Sequence, residues 1–201
     1  MKLRSFIAIL AMVSLPVYLK AQQDSDSKRD EWQKPNAVVQ ALGLAPNSIV
    51  ADIGSGTGYF AVRIASVVPK GRVYGVDIQA EMVKHLEDKI KRDGLSNVIS
   101  LAGKPDDPQL PVRVDLILMV NIFSYISNRD QYFEKLKDYL KPGGRVALID
   151  FIETSSMGPP IAKRIPPERV KSELIRVGYE LGEEHSFLPN QFFLIFKKTA
   201  R

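Results

Sequence analysis

The segment Val50-Ala-Asp-Ile-Gly-Ser-Gly-Thr-Gly-Tyr-Phe60 joins a short apolar run to a helical pattern through three alternating glycines. An apolar run stopped by Gly54 reads as a buried strand, and the apolar spacing from Tyr59 to Val68 reads as the helix after it. Glycines at 54, 56 and 58 carry no Cβ, so the backbone between the two elements can turn tightly and approach a ligand closely. A strand, a glycine turn and a helix in that order predict an open parallel sheet that binds ligands at the carboxyl ends of its strands.

The rest of the chain keeps the alternation. A short helix is expected from Pro35 to Gly43, a strand over Arg72 to Val76, and a helix with Ile78, Met82, Val83, Leu86 and Ile90 on one face ending at Gly94. Asn97 to Leu101 offers a third strand, Gly103 to Pro111 a loop, and Val114 to Val120 a fourth strand apolar enough to be covered on both faces. Tyr132, Phe133, Leu136, Tyr139 and Leu140 mark a helix that Lys141-Pro-Gly-Gly144 ends, before a fifth strand from Arg145 to Phe151. Pro166-Pro-Glu168 opens a last helix, and Tyr179 to Phe187 with Gln191 to Phe196 form a hairpin. The fold class is therefore α/β: a Rossmann-like three-layer αβα sandwich with a mostly parallel seven-stranded sheet and a C-terminal antiparallel hairpin.

Residues 1–21 have a basic start, an apolar run from Phe6 to Leu19 too short to span a bilayer, and Ala21 before Gln22-Gln23, the pattern of a signal peptide cleaved after Ala21. Residues 22–30 are polar and read as a flexible linker, which leaves 31–201 as the domain. The expected location is periplasmic or otherwise extracytoplasmic, or cytoplasmic or membrane-anchored if the leader stays uncleaved. No stable membrane span remains once the leader is removed. The chain holds 28 Lys and Arg, and setting aside Lys2, Arg4 and Lys20 leaves 25 against 23 acidic residues, an ordinary surface. The absence of Cys excludes a thiolate metal site or a Cys nucleophile, and two distant histidines, His85 and His185, leave little material for a zinc cluster.

The loop also discriminates among ligands. A dinucleotide fingerprint needs Gly or Ala where Tyr59 stands, and Asp52 before the first glycine would repel a polyphosphate but attract an ammonium. Asp77, about twenty residues on at the end of the second strand, can accept the two hydroxyls of a ribose. A nucleoside joined to an amino acid satisfies both acids.

With these residues in place, the chain resembles the class I S-adenosylmethionine-dependent methyltransferases from Trp32 to Lys198. The resemblance rests on Asp52-Ile-Gly-Ser-Gly-Thr-Gly58, Asp77, the strand Val114-Asp-Leu-Ile-Leu-Met-Val120 and Leu140-Lys-Pro-Gly-Gly144. It implies S-adenosylmethionine as cofactor, held by Asp52 at the amino end, by Gly54, Ser55, Gly56 and Gly58 along the methionine and ribose, by Asp77 at the ribose hydroxyls and by Ile78 on the adenine. Lys104 and Pro105 would line the adenine edge, and Asn121 would face the methionine end and the sulfonium. Many relatives have an acid at the position of Lys104, and an acid with histidines near Asn121-Ile-Phe-Ser-Tyr125.

Methyl transfer from a sulfonium mainly requires positioning and exclusion of water, so no catalytic side chain is assigned; Tyr125, Asp150 and Glu153 are the polar groups placed at the rim. The expected function is methyl transfer to an unassigned acceptor, a small molecule ahead of a protein. Lys163, Arg164, Arg169 and Lys171 form a basic patch that reads as a charged loop, with a seat for an anionic substrate as the alternative; it lacks the interleaved aromatics that nucleic acid would want. A non-catalytic module that binds or senses S-adenosylmethionine or a nucleoside is the alternative, a nucleotide-linked oxidoreductase a poorer one because of Tyr59. No metal is expected, and the chain is expected to be a monomer or weak dimer. Trp32 either caps the pocket or pins the first helix to the sheet.

Overall fold

Strand residues two apart share a face while successive residues face opposite layers, and the central strands use both faces. In a computed structural model that describes residues 26–199, Ile117 and Met119 of β4 (Val114–Val120) join one apolar cluster, while Leu116, Leu118 and Val120 join the other. The same alternation puts Phe192, Leu194 and Phe196 of β7 (Gln191–Lys198) on the first face and Phe193 and Ile195 on the second. Strands apolar on both faces need helices on both sides of the sheet.

The first face is covered by α5 (Arg129–Leu136) through Tyr132, Phe133 and Leu136, and by α6 (Pro167–Arg176) through Val170 and Leu174. The second is covered by α2 (Pro35–Ala41), α3 (Tyr59–Val67) and α4 (Ala80–Asp93) through Val38, Phe60, Ile64 and Leu86. The remaining strands are β1 (Ile49–Ile53), β2 (Arg72–Asp77), β3 (Val98–Ala102), β5 (Leu140–Phe151) and β6 (Tyr179–His185). The sheet order is β3-β2-β1-β4-β5-β7-β6. β7 runs antiparallel to both neighbours, and the pairs from β3 to β5 are parallel. This is the expected three-layer sandwich, and strand order reverses between β1 and β4, where the carboxyl ends open a crevice.

Two local expectations are corrected. Residues 26–30, read as part of a flexible linker, belong to a helix over residues 26–33 (α1). Its polar side chains are not idle: Arg29 and Asp30 find partners on α3, which hydropathy does not register. Lys141-Pro-Gly-Gly144 does not end a helix. α5 stops at Leu136, and Pro142-Gly143-Gly144 lies within β5, where pairing slips so that Leu140 faces Val114 and Arg145 faces Leu116. Gly143, at φ +73°, supplies the left-handed backbone for this bulge. The leader and its cleavage after Ala21, like residues 22–25, lie outside the described residues. Among the described residues no helix is long and apolar enough to cross a membrane.

Candidate functional site

The crevice at the strand ends holds a cavity of about 810 Å³, within the roughly 300–1,000 Å³ usual for small-molecule sites. Asp52, Gly54, Ser55, Gly56, Asp77, Ile78 and Asn121 all line it, so β1, its loop, β2 and β4 bring seven of the expected residues together. Lys104 and Pro105 line it as well. Gly58 does not. It caps α3 at φ +86°, and a Cβ there would stand 2.5 Å from Cδ1 of Leu86, so this glycine lets α4 pack against the loop. Gly56 has the opposite surroundings: at φ +53° its Cβ position meets nothing within 4 Å, which leaves its backbone bare toward a ligand.

Asp52 is 2% exposed at the end of β1, and its Oδ2 is buried without a hydrogen-bond partner. Burial pushes its carboxyl up to about 7; the charge of Arg29 and a backbone hydrogen bond from Ala61 pull it down, and Asp77 pushes it further up. A buried acceptor with no donor costs free energy, and a cationic donor entering the cavity would recover it. Asp77 is held in place by the loop it faces: Oδ2 accepts from the Gly56 amide at 2.9 Å and Oδ1 from the Gln79 amide at 3.0 Å. Each oxygen keeps a lone pair, so the carboxylate still has room for two hydroxyl donors. Ile78, next in the chain, is 61% exposed, an apolar side chain left free at the cavity wall.

α1 adds residues that the sequence reading missed. Arg29 lines the cavity with its guanidinium carbon 3.8 Å from the centre of the Tyr59 ring, and burial holds it below the ordinary arginine range. Asp30 accepts from the Tyr59 hydroxyl at 2.5 Å and from Arg63 at 2.8 Å, which ties α1 to α3. Trp32 sits in α1, not ahead of the first helix: its ring lies 5.6 Å from that of Phe151 of β5, and both residues line the cavity. The only sequence signal for this layer is an Arg three residues before a Trp in an otherwise polar stretch.

Asn121, at φ +59°, turns the chain away from β4, with its amide donating to Ile149 O at 2.8 Å. Tyr125 lines the cavity and is 68% exposed. Asp150 and Glu153 are not among the lining residues. Burial raises the Asp150 carboxyl, and the backbone amides of Phe151 and Phe123 bind it, so it staples the turn after β4. His85 pairs with Glu81 on α4, and His185 of β6 packs on Phe193 of β7, both away from the cavity. The basic patch is largely engaged: Arg164 donates to the carbonyls of Ile152, Glu153, Ser155, Met157 and Pro159, Arg169 pairs with Glu173, and Lys171 with Glu168 and Glu184. Among the described residues no cluster of His, Cys, Asp and Glu could hold a metal.

Comparisons with known proteins agree with this geometry. A family model described as a methyltransferase domain matches residues 51–146. The solved structure of a SAM-dependent methyltransferase from Aquifex aeolicus superposes with a TM-score of 0.80 at 28% identity, covering 88% of this chain and 96% of that one. An arsenite methyltransferase of Halobacterium salinarum is 30% identical over 56% of this chain and 29% of its own length. A ubiquinone/menaquinone biosynthesis C-methyltransferase of Geotalea daltonii is 29% identical over 56% of this chain and 49% of its own. The match thus spans less than half the length of these two curated relatives. The [4+2]-cyclase SpnF, 15% identical with a TM-score of 0.71, shares the fold alone. Over residues 51–146 the chain matches a methyltransferase domain, and over most of its length it is similar to class I S-adenosylmethionine-dependent methyltransferases.

Proposed function

We propose that this protein binds S-adenosylmethionine in the crevice and transfers its methyl group to a small-molecule acceptor. The observation that carries the reading is the unpartnered, buried Oδ2 of Asp52 on the wall of a cavity that also exposes Asp77. Asp52 would take the ammonium of the methionine portion and Arg29 its carboxylate; Asp77 would take the ribose hydroxyls, and Ile78 with Pro105 the adenine. When bound, S-adenosylmethionine supplies an electrophilic methyl whose leaving group departs as a neutral thioether.

The chain's own contribution is then placement and dryness. Backbone at Gly54 to Gly56 holds the donor at the strand ends, while Trp32 and Phe151 form an apolar wall that keeps water from the reacting end. Lys135 in the wall is paired with Asp107, and Asp150 is spent on backbone amides, so neither is placed as a base. A small acceptor is favoured over a macromolecule because Phe151 of the aromatic wall is only 7% exposed. The leader-like residues 1–21 belong to the same reading, as an export signal cleaved after Ala21; N-terminal sequencing of exported protein tests this, and an intact Met1 would refute it. Methyl transfer is tested by S-adenosylhomocysteine release with a panel of phenols, thiols, amines and carboxylates. Release above the acceptor-free rate supports the reading, and binding without release to any acceptor favours the non-catalytic module.

A further inference from the structure

Donor binding leaves one buried polar feature unexplained. Gln33 of α1 and Gln191 at the start of β7 are 0% and 3% exposed and lie 158 positions apart, yet they bond to each other. Arg29 Nε donates to Gln33 Oε1 at 2.5 Å, Gln33 Nε2 donates to Gln191 Oε1 at 2.9 Å, and Gln191 Nε2 donates to Asn121 Oδ1 at 2.5 Å. A guanidinium has donors only. The Gln33 atom facing it must be oxygen, which turns the Gln33 nitrogen toward Gln191, and the same logic passes to Asn121. The direction of the whole relay is therefore set from the Arg29 end, and Asn121 must turn its oxygen inward. Its Nδ2 is left for the cavity and has no partner among the described residues.

The relay lies at the foot of the aromatic wall. Trp32 is the residue before Gln33, and Phe151 stands opposite Gln191 in the sheet register. An amide NH2 carries the positive end of its dipole, so it would repel a sulfonium and needs an accepting atom instead. We infer that Asn121 is the specificity residue for the acceptor: the subsite takes a flat apolar compound bearing an anionic or carbonyl oxygen, its ring against Trp32 and Phe151 and its oxygen on Asn121 Nδ2. Gln33 and Gln191 are positioning residues that forbid the amide from turning over. The inference rests on the reading of the cavity as a donor and acceptor site, and it assigns Asn121 to the acceptor rather than to the donor.

Trp32 is the only Trp of the chain, so its fluorescence reports on the wall itself. The full chain is titrated with benzoate and with benzylamine near pH 8, each with and without saturating S-adenosylhomocysteine. The wild type should prefer benzoate by about tenfold or more, as a charge-assisted hydrogen bond implies. Asn121→Asp keeps the acceptor for Gln191 but replaces the outward donor by an oxygen, and should abolish or reverse the preference. Gln33→Met with Gln191→Met removes both buried amides together, frees the Asn121 side chain to turn, and should reduce the preference to below about threefold. Equal binding of the two probes, no saturable response to either, or a preference that survives Asn121→Asp overturns the inference. In the last case Arg29, Lys104 or Lys135 would be the source of the anion preference. Failure of S-adenosylhomocysteine to bind refutes the donor reading separately, because the probe preference is also measured in its absence.

Discussion

Replacing Asp52 by asparagine should make the unliganded protein more stable and its donor binding weaker, with both effects set by one buried carboxylate. Burial moves the Asp52 carboxyl from 3.8 to about 7. The folded protein then holds the proton more tightly than the unfolded chain does, so stability falls as pH rises from 3.8 and the full cost is present above 7. A shift of about three units at about 1.4 kcal/mol each sets a ceiling of about 4 kcal/mol, and relaxation around the carboxylate leaves on the order of 2–4 kcal/mol. The side-chain amide of Asp52→Asn does not ionise, so urea unfolding near pH 8 should show the variant more stable by that amount, with the gap closing near pH 4. Donor binding has the opposite sign, because an ammonium needs the ionised form. Wild-type affinity for S-adenosylhomocysteine should fall about tenfold for each pH unit below 7, and the variant should bind weakly at every pH. A variant no more stable near pH 8, together with a wild-type affinity flat between about pH 8 and 5, would refute the reasoning.

Other parts of the structure make separate claims. Gly58→Ala puts a Cβ into a left-handed position and against Leu86, so we expect a loss of about 2–4 kcal/mol and a thermal midpoint lower by roughly 5–15 °C in calorimetry. Glu173, 7% exposed, is held below its ordinary 4.5 by Arg129 first and by Arg169. Its stabilisation is present above 4.5 and lost as pH falls through its lower folded value; Glu173→Gln should cost about 1–3 kcal/mol near pH 7 in urea unfolding and progressively less in acid. Arg164 gathers the carbonyls of five residues between 152 and 159, so Arg164→Ala should accelerate amide exchange across residues 152–163 by about tenfold or more and leave the strands protected.

The parts of this molecule that chain order and local chemistry determine were readable in advance. Strand alternation, the glycine turn, Asp52 just before it and Asp77 at the next strand end are all local in sequence, and together they define a ligand that is cationic at one end and carries hydroxyls further along. What escaped reading depends on distant partners. Residues 26–30 look solvated because their chain neighbours are polar, yet Arg29 acquires a ring from Tyr59 and Asp30 a hydroxyl and a guanidinium only after α1 docks. Gln33 and Gln191 are invisible to hydropathy for the same reason: each is buried because the other is there. Gly58 shares the spacing of Gly54 and Gly56, yet its missing Cβ makes room for Leu86 of α4, and it does not line the cavity. Pro142-Gly-Gly144 carries turn residues that a bulge inside a strand uses equally well, and only the pairing of Leu140 with Val114 separates the two uses.

The most direct test of the central claim is a calorimetric titration of the folded chain with S-adenosylhomocysteine, with Asp77→Ala alongside. The account predicts saturable binding to the wild type and a loss of roughly 30-fold or more in the variant, the about 2–4 kcal/mol expected when two hydroxyls lose a charged acceptor. A folded wild type that does not bind, or a variant that binds as tightly as the wild type, would contradict it.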